Sequence, residues 1–190
     1  AKKMGYTITK DIVEKTTGVT DDKARILFKE SLGQDFPYDE MMGKVKNHIL
    51  ELAKKSEVPL KSGALELLEF LRENNKEMIL ATSSDLFMAE ALINGKDLKK
   101  YFSYFVTAED VVHGKPDPEV FLIGAKKAGV SPKKTAVFED SFNGIRAAHA
   151  AGTFPIMVPD KLKPTEEIEK LVYKKFNSLV EVLDYFKGND

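Results

Sequence analysis

From residue 58 onward, short apolar segments alternate with amphipathic helical segments, and this alternation constrains the fold more than any other feature. Segments typical of strands lie at 77–82, 104–107, 135–138 and 154–158. Segments typical of helices lie at 63–73, 85–93, 118–129, 144–151, 165–171 and 179–186. Since strands that alternate with helices form mostly parallel sheets covered on both faces, the sequence predicts an α/β fold with a doubly wound parallel sheet.

The first 57 residues are predicted to be entirely helical. Thr20 is a suitable N-cap for a helix that opens with two acidic residues. Two stripes of apolar residues at helical spacing are predicted to pack in a core: Ala24, Leu27, Phe28 and Leu32, then Met41, Val45, Ile49 and Leu52. We therefore predict a helical domain over residues 1–57 and an α/β domain over residues 58–190, with the boundary where the composition changes near Val58.

Composition and charge exclude several classes of function. The 190 residues carry a net charge of -1, which favours neither nucleic acid nor an anionic membrane as a partner. No apolar run approaches the roughly 18 residues that cross a bilayer, and the first residues do not resemble a signal peptide. Without cysteine there are no disulfides and no thiolate nucleophile. We expect a cytoplasmic protein.

Polar residues follow the predicted strands at three places. Thr82, Ser83 and Ser84 follow one strand, and Glu139 and Asp140 follow another. Between them, a loop carries Lys115 in the run G-K-P-D-P. Because ligands of open α/β sheets bind outside the carboxyl ends of the strands, we expect these three segments to converge on one site.

These residue types suit a phosphate held beside a divalent cation. Two carboxylates about 4 Å apart repel by roughly 4 kcal/mol at an effective dielectric near 20, so a neighbouring cation is expected. Mg²⁺ takes one or two carboxylates together with water and phosphate oxygens. Lys115, held extended by Pro116, would neutralise the phosphate. The hydroxyl and N–H groups of residues 82–84 would cradle it at a helix N-terminus.

Each segment taken alone has an ordinary structural explanation. The acids could form a solvated turn that caps the next helix, Lys115 could be an exposed loop residue, and the Thr-Ser-Ser run could be a helix cap. The three histidines, His48, His113 and His149, lack metal-ligand spacing and are predicted to be structural or exposed. No apolar strand ends in Asp-x-Asp, the pair that would supply a nucleophile and a proton donor for phosphoryl transfer.

Three motifs in this order resemble the haloacid dehalogenase superfamily, and within it the β-phosphoglucomutase-like phosphatases. They are A-T-S-S at 81–84, G-K-P-D-P-E-V-F at 114–121 and V-F-E-D-S-F-N-G-I-R-A-A-H-A-A-G at 137–152. The resemblance implies a Rossmann-like core with a small helical cap inserted after the first strand. It implies that Thr82 and Ser83 bind phosphate and that Lys115 is the lysine of the family's third motif. Asp140, helped by Glu139, would hold Mg²⁺, and Ser84 and Asn143 are assigned to phosphate or substrate.

The chain departs from the family pattern at its start. Members attack phosphorus with the first aspartate of an N-terminal Asp-x-Asp motif, and neither aspartate of that motif is in this sequence. The resemblance therefore implies that the first central strand is missing. We expect the chain to be inactive and unstable alone, to need an N-terminal segment or a separate fragment as partner, and to be a monomer when complete.

The expected function is that of a Mg²⁺-dependent phosphatase that hydrolyses a small phosphorylated metabolite, with a sugar phosphate favoured, through a phosphoaspartate whose Asp is absent from this chain. A β-phosphoglucomutase-type mutase is an alternative, although Asp21 and Asp22 stand where mutases carry an arginine for a second phosphate. A non-catalytic phosphate-binding module is another alternative. Haloacid dehalogenase activity, which uses no metal, and a receiver domain, which has no helical cap, fit less well.

Overall fold

A computed structural model describes residues 1–160 and 163–188 of the chain. The first third is helical, as predicted, with α1 at Lys10–Thr16, α2 at Asp21–Leu32 and α3 at Tyr38–Lys54. Thr20 is the N-cap of α2, in the extended conformation that this position requires. The division into domains at residue 57 stays a prediction.

The helical part has its own apolar cluster. Phe28 stacks on Phe36 with ring centroids 5.5 Å apart, and Ala24, Tyr38 and Met41 are buried beside them. The prediction that the whole second stripe packs in the core is wrong for Val45, which is 42% exposed. Because α3 turns this side of its surface toward a large cavity, Val45 lines that cavity and does not enter the cluster.

The remaining residues alternate helix and strand as predicted. The strands are β1 at Ile79–Ala81, β2 at Tyr104–Val106, β3 at Ala136–Glu139, β4 at Phe154–Met157 and β5 at Lys174–Lys175. The helices are α4 at Ala64–Glu73, α5 at Leu86–Asn94, α6 at Glu119–Lys127, α7 at Phe142–Ala150, α8 at Glu166–Leu171 and α9 at Leu179–Lys187. Strand β5 was not predicted, because two consecutive lysines carry no apolar pattern.

All strand pairs are parallel, which confirms the predicted α/β class. In the described part of the chain the strands form two sheets, β1–β2 and β3–β4–β5. Among residues 1–160 and 163–188, β1 pairs only with β2 and β3 pairs only with β4, so each sheet ends in an open edge. The two sheets nevertheless share one apolar cluster, in which Ile79 and Ala81 of β1 pack with Val137 of β3 and with α6 and α7.

Local predictions for three helices need correction. The helical spacing of Leu65, Leu68 and Leu71 predicts that these three residues face inward, but in α4 the buried leucine is Leu67 and Leu65 is 45% exposed. The reason is that Leu67 and Leu71, one turn apart, form the row that packs with α9. Helix α7 begins two residues earlier than predicted because the Ser141 hydroxyl accepts a hydrogen bond from the Gly144 N–H at 3.0 Å.

Helix α6 begins at Glu119, one residue later than predicted, and the Asp117 carboxylate accepts a hydrogen bond from the Glu119 N–H at 3.0 Å.

Among the described residues, no helix combines the length and the apolar character needed to cross a membrane.

Candidate active site

The three polar segments meet at one cavity of about 930 Å³ between the helical part and the carboxyl ends of the strands. Six of the seven predicted site residues line it: Thr82, Ser83, Ser84, Lys115, Glu139 and Asp140. Asn143 lies next to it, on the first turn of α7, and contacts the helical part. The parallel strands produce this convergence, because their carboxyl ends lie on the same side of the fold.

The loop after β1 turns sharply into α5. The Thr82 N–H continues the strand by donating to the Val106 carbonyl at 2.9 Å, and the Thr82 hydroxyl accepts from the Ser84 N–H at 3.1 Å. Asp85 then caps α5 by accepting from the Met88 N–H at 2.8 Å. This turn places hydroxyl and N–H groups at the cavity, beside the positive end of a helix.

Lys115 and Glu139 form a buried ion pair at the floor of the cavity. The Lys115 ammonium donates to the Glu139 carboxylate, and the two side chains are only 6% and 9% exposed. Glu139 also accepts hydrogen bonds from the N–H and the hydroxyl of Ser141. The Lys115 ammonium lies 4.8 Å from the centre of the Phe121 ring, a favourable position for a cation. The Glu139 carboxylate is therefore already bound by the Lys115 ammonium and by the N–H and hydroxyl of Ser141.

Asp140 points to a different neighbour. Its carboxylate is 43% exposed and lies 3.5 Å from the Lys61 ammonium, which also lies 3.7 Å from the Asp160 carboxylate. Asp140 directly follows β3 and Asp160 is the third residue after β4, so the two acids lie beyond the ends of adjacent strands. Asp140 and Asp160 therefore lie on either side of the Lys61 ammonium.

The carboxylates at the cavity fit a Mg²⁺ ion that takes few of its ligands from the protein. Within residues 1–160 and 163–188 no three histidine, cysteine, aspartate or glutamate side chains form a group that could hold a metal ion. Mg²⁺, however, commonly takes one or two carboxylates and keeps several waters. Asp140, accessible at the cavity, and Asp160 beside it are the carboxylates that meet this requirement, and Glu139 is the less available one.

The turn between α1 and α2 contacts the loop after β1 and the start of α7. Ser83 donates through its hydroxyl to the Gly18 carbonyl at 2.9 Å, and Asn143 donates through its amide to the Thr17 carbonyl at 2.9 Å. A Cβ at Gly18, which has φ +77°, would lie 2.5 Å from the Ser141 hydroxyl oxygen. The turn is therefore in direct contact with the loops that carry the predicted site.

The helical wall of the cavity combines apolar and charged residues. Lys46 on α3 lies between Asp21, at 3.6 Å, and Asp85, at 3.7 Å. Burial and a hydrogen bond to Asp21 raise the pKa of the Tyr38 hydroxyl well above its ordinary value. Arg25 pairs with Asp22 at 2.7 Å. The acids at Asp21 and Asp22 are thus partly neutralised by neighbouring cations.

Sequence reasoning missed Lys61 and Asp160. Asp160 follows a predicted apolar strand, so the signal that identified Glu139 and Asp140 was present there too. Lys61 stands in a loop between two helices and belongs to no motif. Only the packing of that loop against the start of α9 brings it to the cavity.

The sequence is similar to known phosphatases. It is 32% identical over 156 residues to a phosphorylated carbohydrates phosphatase from Thermotoga maritima, over 80% of this chain and 70% of that protein. It is 44% identical over 77 residues to a fructose-1-phosphate phosphatase from Escherichia coli, over 40% of this chain and 41% of that protein. The chain thus spans less than half of the second relative's length.

The fold is also that of known structures. A putative β-phosphoglucomutase from Thermotoga maritima superposes with a TM-score of 0.70 at 26% identity, over 98% of this chain and 87% of that one. Residues 9–152 match the family model described as haloacid dehalogenase-like hydrolase. This match covers most of the chain and includes the three motifs on which the resemblance rests. The chain therefore belongs to the haloacid dehalogenase-like hydrolase family.

Proposed function

We propose that the chain forms most of a Mg²⁺-dependent phosphatase for small phosphorylated metabolites, with sugar phosphates as the favoured class. The observation that carries this proposal is the cavity in which a buried lysine, a hydroxyl-rich helix start and an accessible carboxylate come together. Relatives named as phosphatases of phosphorylated carbohydrates support the same class of substrate.

In this proposal, Lys115 binds the phosphate. An ammonium group has three hydrogen-bond donors, and Glu139 occupies one of them. The others are available to phosphate oxygens, and the positive charge stabilises the negative charge that develops during transfer. Burial matters here because a charge shielded from water acts more strongly on its neighbours.

The loop after β1 would orient the same phosphate. Thr82, Ser83 and Ser84 line the cavity at the start of α5. The Thr82 hydroxyl accepts from the Ser84 N–H and keeps its own proton for a phosphate oxygen, and the Ser83 N–H and the Ser84 hydroxyl would be further donors. Asp140 and Asp160 would hold the magnesium ion, with Glu139 keeping Lys115 in place. When bound, Mg²⁺ would neutralise phosphate charge as a Lewis acid.

We infer that the attacking carboxylate comes from an aspartate that these 190 residues do not contain. The open edges of β1 and β3 support this inference, because a further parallel strand between them would deliver its last residues to the cavity. Attack on phosphorus would form a phosphoaspartate and break the phosphorus–oxygen bond to the metabolite, whose oxygen would leave as an alcohol with a proton from the second aspartate of the same motif. Water would then hydrolyse the phosphoaspartate to aspartate and inorganic phosphate. The helical part would close over the substrate and exclude water, consistent with the contacts of its Gly18 turn to Ser83.

Phosphate release from a panel of sugar phosphates and nucleotides, with and without Mg²⁺, tests the proposal. We expect turnover only from protein that includes an N-terminal segment with the Asp-x-Asp motif, and loss of turnover in its Lys115→Met variant. Turnover by the 190-residue chain alone would refute the inference about the nucleophile. Phosphate binding without turnover by the longer protein would favour a non-catalytic phosphate-binding module.

The mutase alternative needs a site for a second phosphate. Asp21 and Asp22 line the cavity and would repel it, and the nearby Lys46 is already paired with Asp21 and Asp85. We therefore favour hydrolysis. Conversion of β-glucose 1-phosphate to glucose 6-phosphate in the presence of a bisphosphate primer would contradict this choice.

A further inference from the structure

Lys61 lies between two carboxylates at the edge of the candidate site. Its ammonium lies 3.5 Å from Asp140 and 3.7 Å from Asp160, so it bridges the two carboxylates at the ends of β3 and β4. The three side chains are 41%, 43% and 56% exposed, which leaves the position open to solvent and to solutes.

The backbone keeps Lys61 at this place. The Lys61 carbonyl accepts a hydrogen bond from the Ala64 N–H at 3.0 Å, in the turn that starts α4. In the same turn Gly63 has φ +81°, and a Cβ there would lie 2.5 Å from the Val180 N. The turn is therefore packed against the start of α9, and Lys61 is anchored on the α/β side of the cavity.

The sheet brings the two acids to the same end of adjacent strands. Glu139 and Met157 are register partners, and Asp140 and Asp160 lie one and three residues beyond them. Both carboxylates lie within 4 Å of the Lys61 ammonium, so removal of its charge leaves two acids at this end of the sheet without the cation between them. A divalent cation would relieve the repulsion between the two acids.

From these contacts we propose that the Lys61 ammonium competes with Mg²⁺ for Asp140 and Asp160. The presence of Lys61 would therefore weaken the binding of Mg²⁺ to the site when no substrate is bound. This inference rests on the proposed function, because it takes Asp140 to be the metal ligand. It assigns to Lys61 a role toward the metal and not toward the reacting phosphate.

Mg²⁺ titrations of the full-length protein by isothermal calorimetry, repeated with Mn²⁺ by electron paramagnetic resonance, test the proposal without any activity measurement. Lys61→Met removes the charge and keeps the chain length, and Lys61→Arg keeps the charge. We expect Lys61→Met to bind Mg²⁺ on the order of tenfold more tightly, a modest factor because the groups are half exposed and screened. Lys61→Arg should stay within about twofold of the wild type.

Lys175→Met is the matched control, since Lys175 pairs with Glu169 at similar exposure away from the cavity, and its affinity should equal that of the wild type. Lys61→Gln repeats the test if Lys61→Met does not fold. Unchanged or weaker Mg²⁺ binding by these neutral variants would overturn the proposal.

Asp140→Asn separates this failure from failure of the proposed function. If Asp140→Asn weakens Mg²⁺ binding and the neutral Lys61 variants do not strengthen it, only the role of Lys61 is refuted. If Asp140→Asn leaves Mg²⁺ binding intact, or the wild type binds no Mg²⁺, the metal site itself is misplaced and both proposals fail.

Discussion

Lys115 and Glu139 neutralise each other at the floor of the cavity, with side chains that are only 6% and 9% exposed. The pair joins a loop to the end of a strand 24 residues later. Because a buried charge without a partner is costly, each residue depends on the other more strongly than any pair on the surface does.

Lys115→Met should destabilise the fold by about 3–5 kcal/mol, because it leaves the Glu139 carboxylate buried without its cation. Urea unfolding measures this loss. Lys44→Met is the control: Lys44 pairs with Glu40 at 67% and 59% exposure, and its loss should cost at most about 1 kcal/mol. The double variant Lys115→Met/Glu139→Gln should regain part of the stability, and a double variant less stable than Lys115→Met would contradict this account.

Gly144→Ala should disrupt the ion pair of Lys115 and Glu139 by displacing the Glu139 carboxylate. A Cβ at Gly144 would lie 2.0 Å from the Glu139 carboxyl carbon, and Lys115 and Ser141 hold that carboxylate in place. Gly43 in α3 is a matched control, because it is also helical and a Cβ there meets nothing within 4 Å. Gly43→Ala should stabilise by up to about 1 kcal/mol through helix propensity. Thermal unfolding should show opposite signs for the two variants, and a stabilised Gly144→Ala would show that Glu139 is free to move.

Asn143→Ala should loosen the contact between the helical part and the rest of the protein. It removes the donor to the Thr17 carbonyl, a hydrogen bond of 2.9 Å, and should lower the local stability of the α1–α2 turn by about 1 kcal/mol. Amide hydrogen exchange should therefore become faster in that turn. Asn74→Ala removes an amide donor to the Phe70 carbonyl, also at 2.9 Å, at the C-terminal end of α4 and should leave the turn unaffected. Equal exchange in both variants would mean that Asn143 does not hold the turn.

The stability of the protein should depend on Asp110 in acid. Hydrogen bonds from the Thr107 N–H and hydroxyl and from Lys127 lower the pKa of Asp110 from its usual 3.8. A lowered pKa in the folded state means that ionised Asp110 stabilises the fold fully above the usual value and that this contribution is lost as the pH falls through the folded value. Asp110→Asn should therefore be less stable than the wild type at pH 7, with a difference that shrinks below about pH 4. A difference that stays constant from pH 7 to pH 3 would contradict this assignment.

The sequence alone determined the class of fold and the segments that line the candidate site. Strand and helix alternation, caps such as Thr20 and acids at strand ends are short-range signals, because they depend on neighbours within a few residues. Parallel strands then bring their carboxyl ends to one side, so the convergence of Thr82, Lys115 and Asp140 on one cavity followed from local patterns.

The tertiary structure alone decided which groups touch within the site. Lys61 meets Asp140 because a loop packs on α9, and Asn143 meets the Thr17 carbonyl across 126 positions of the chain. Val45 fits a core stripe by its spacing, yet it faces the cavity because the opposing surface is open there. The physical reason is that periodicity specifies which side of a helix is apolar, whereas the packing of distant elements determines what that side meets.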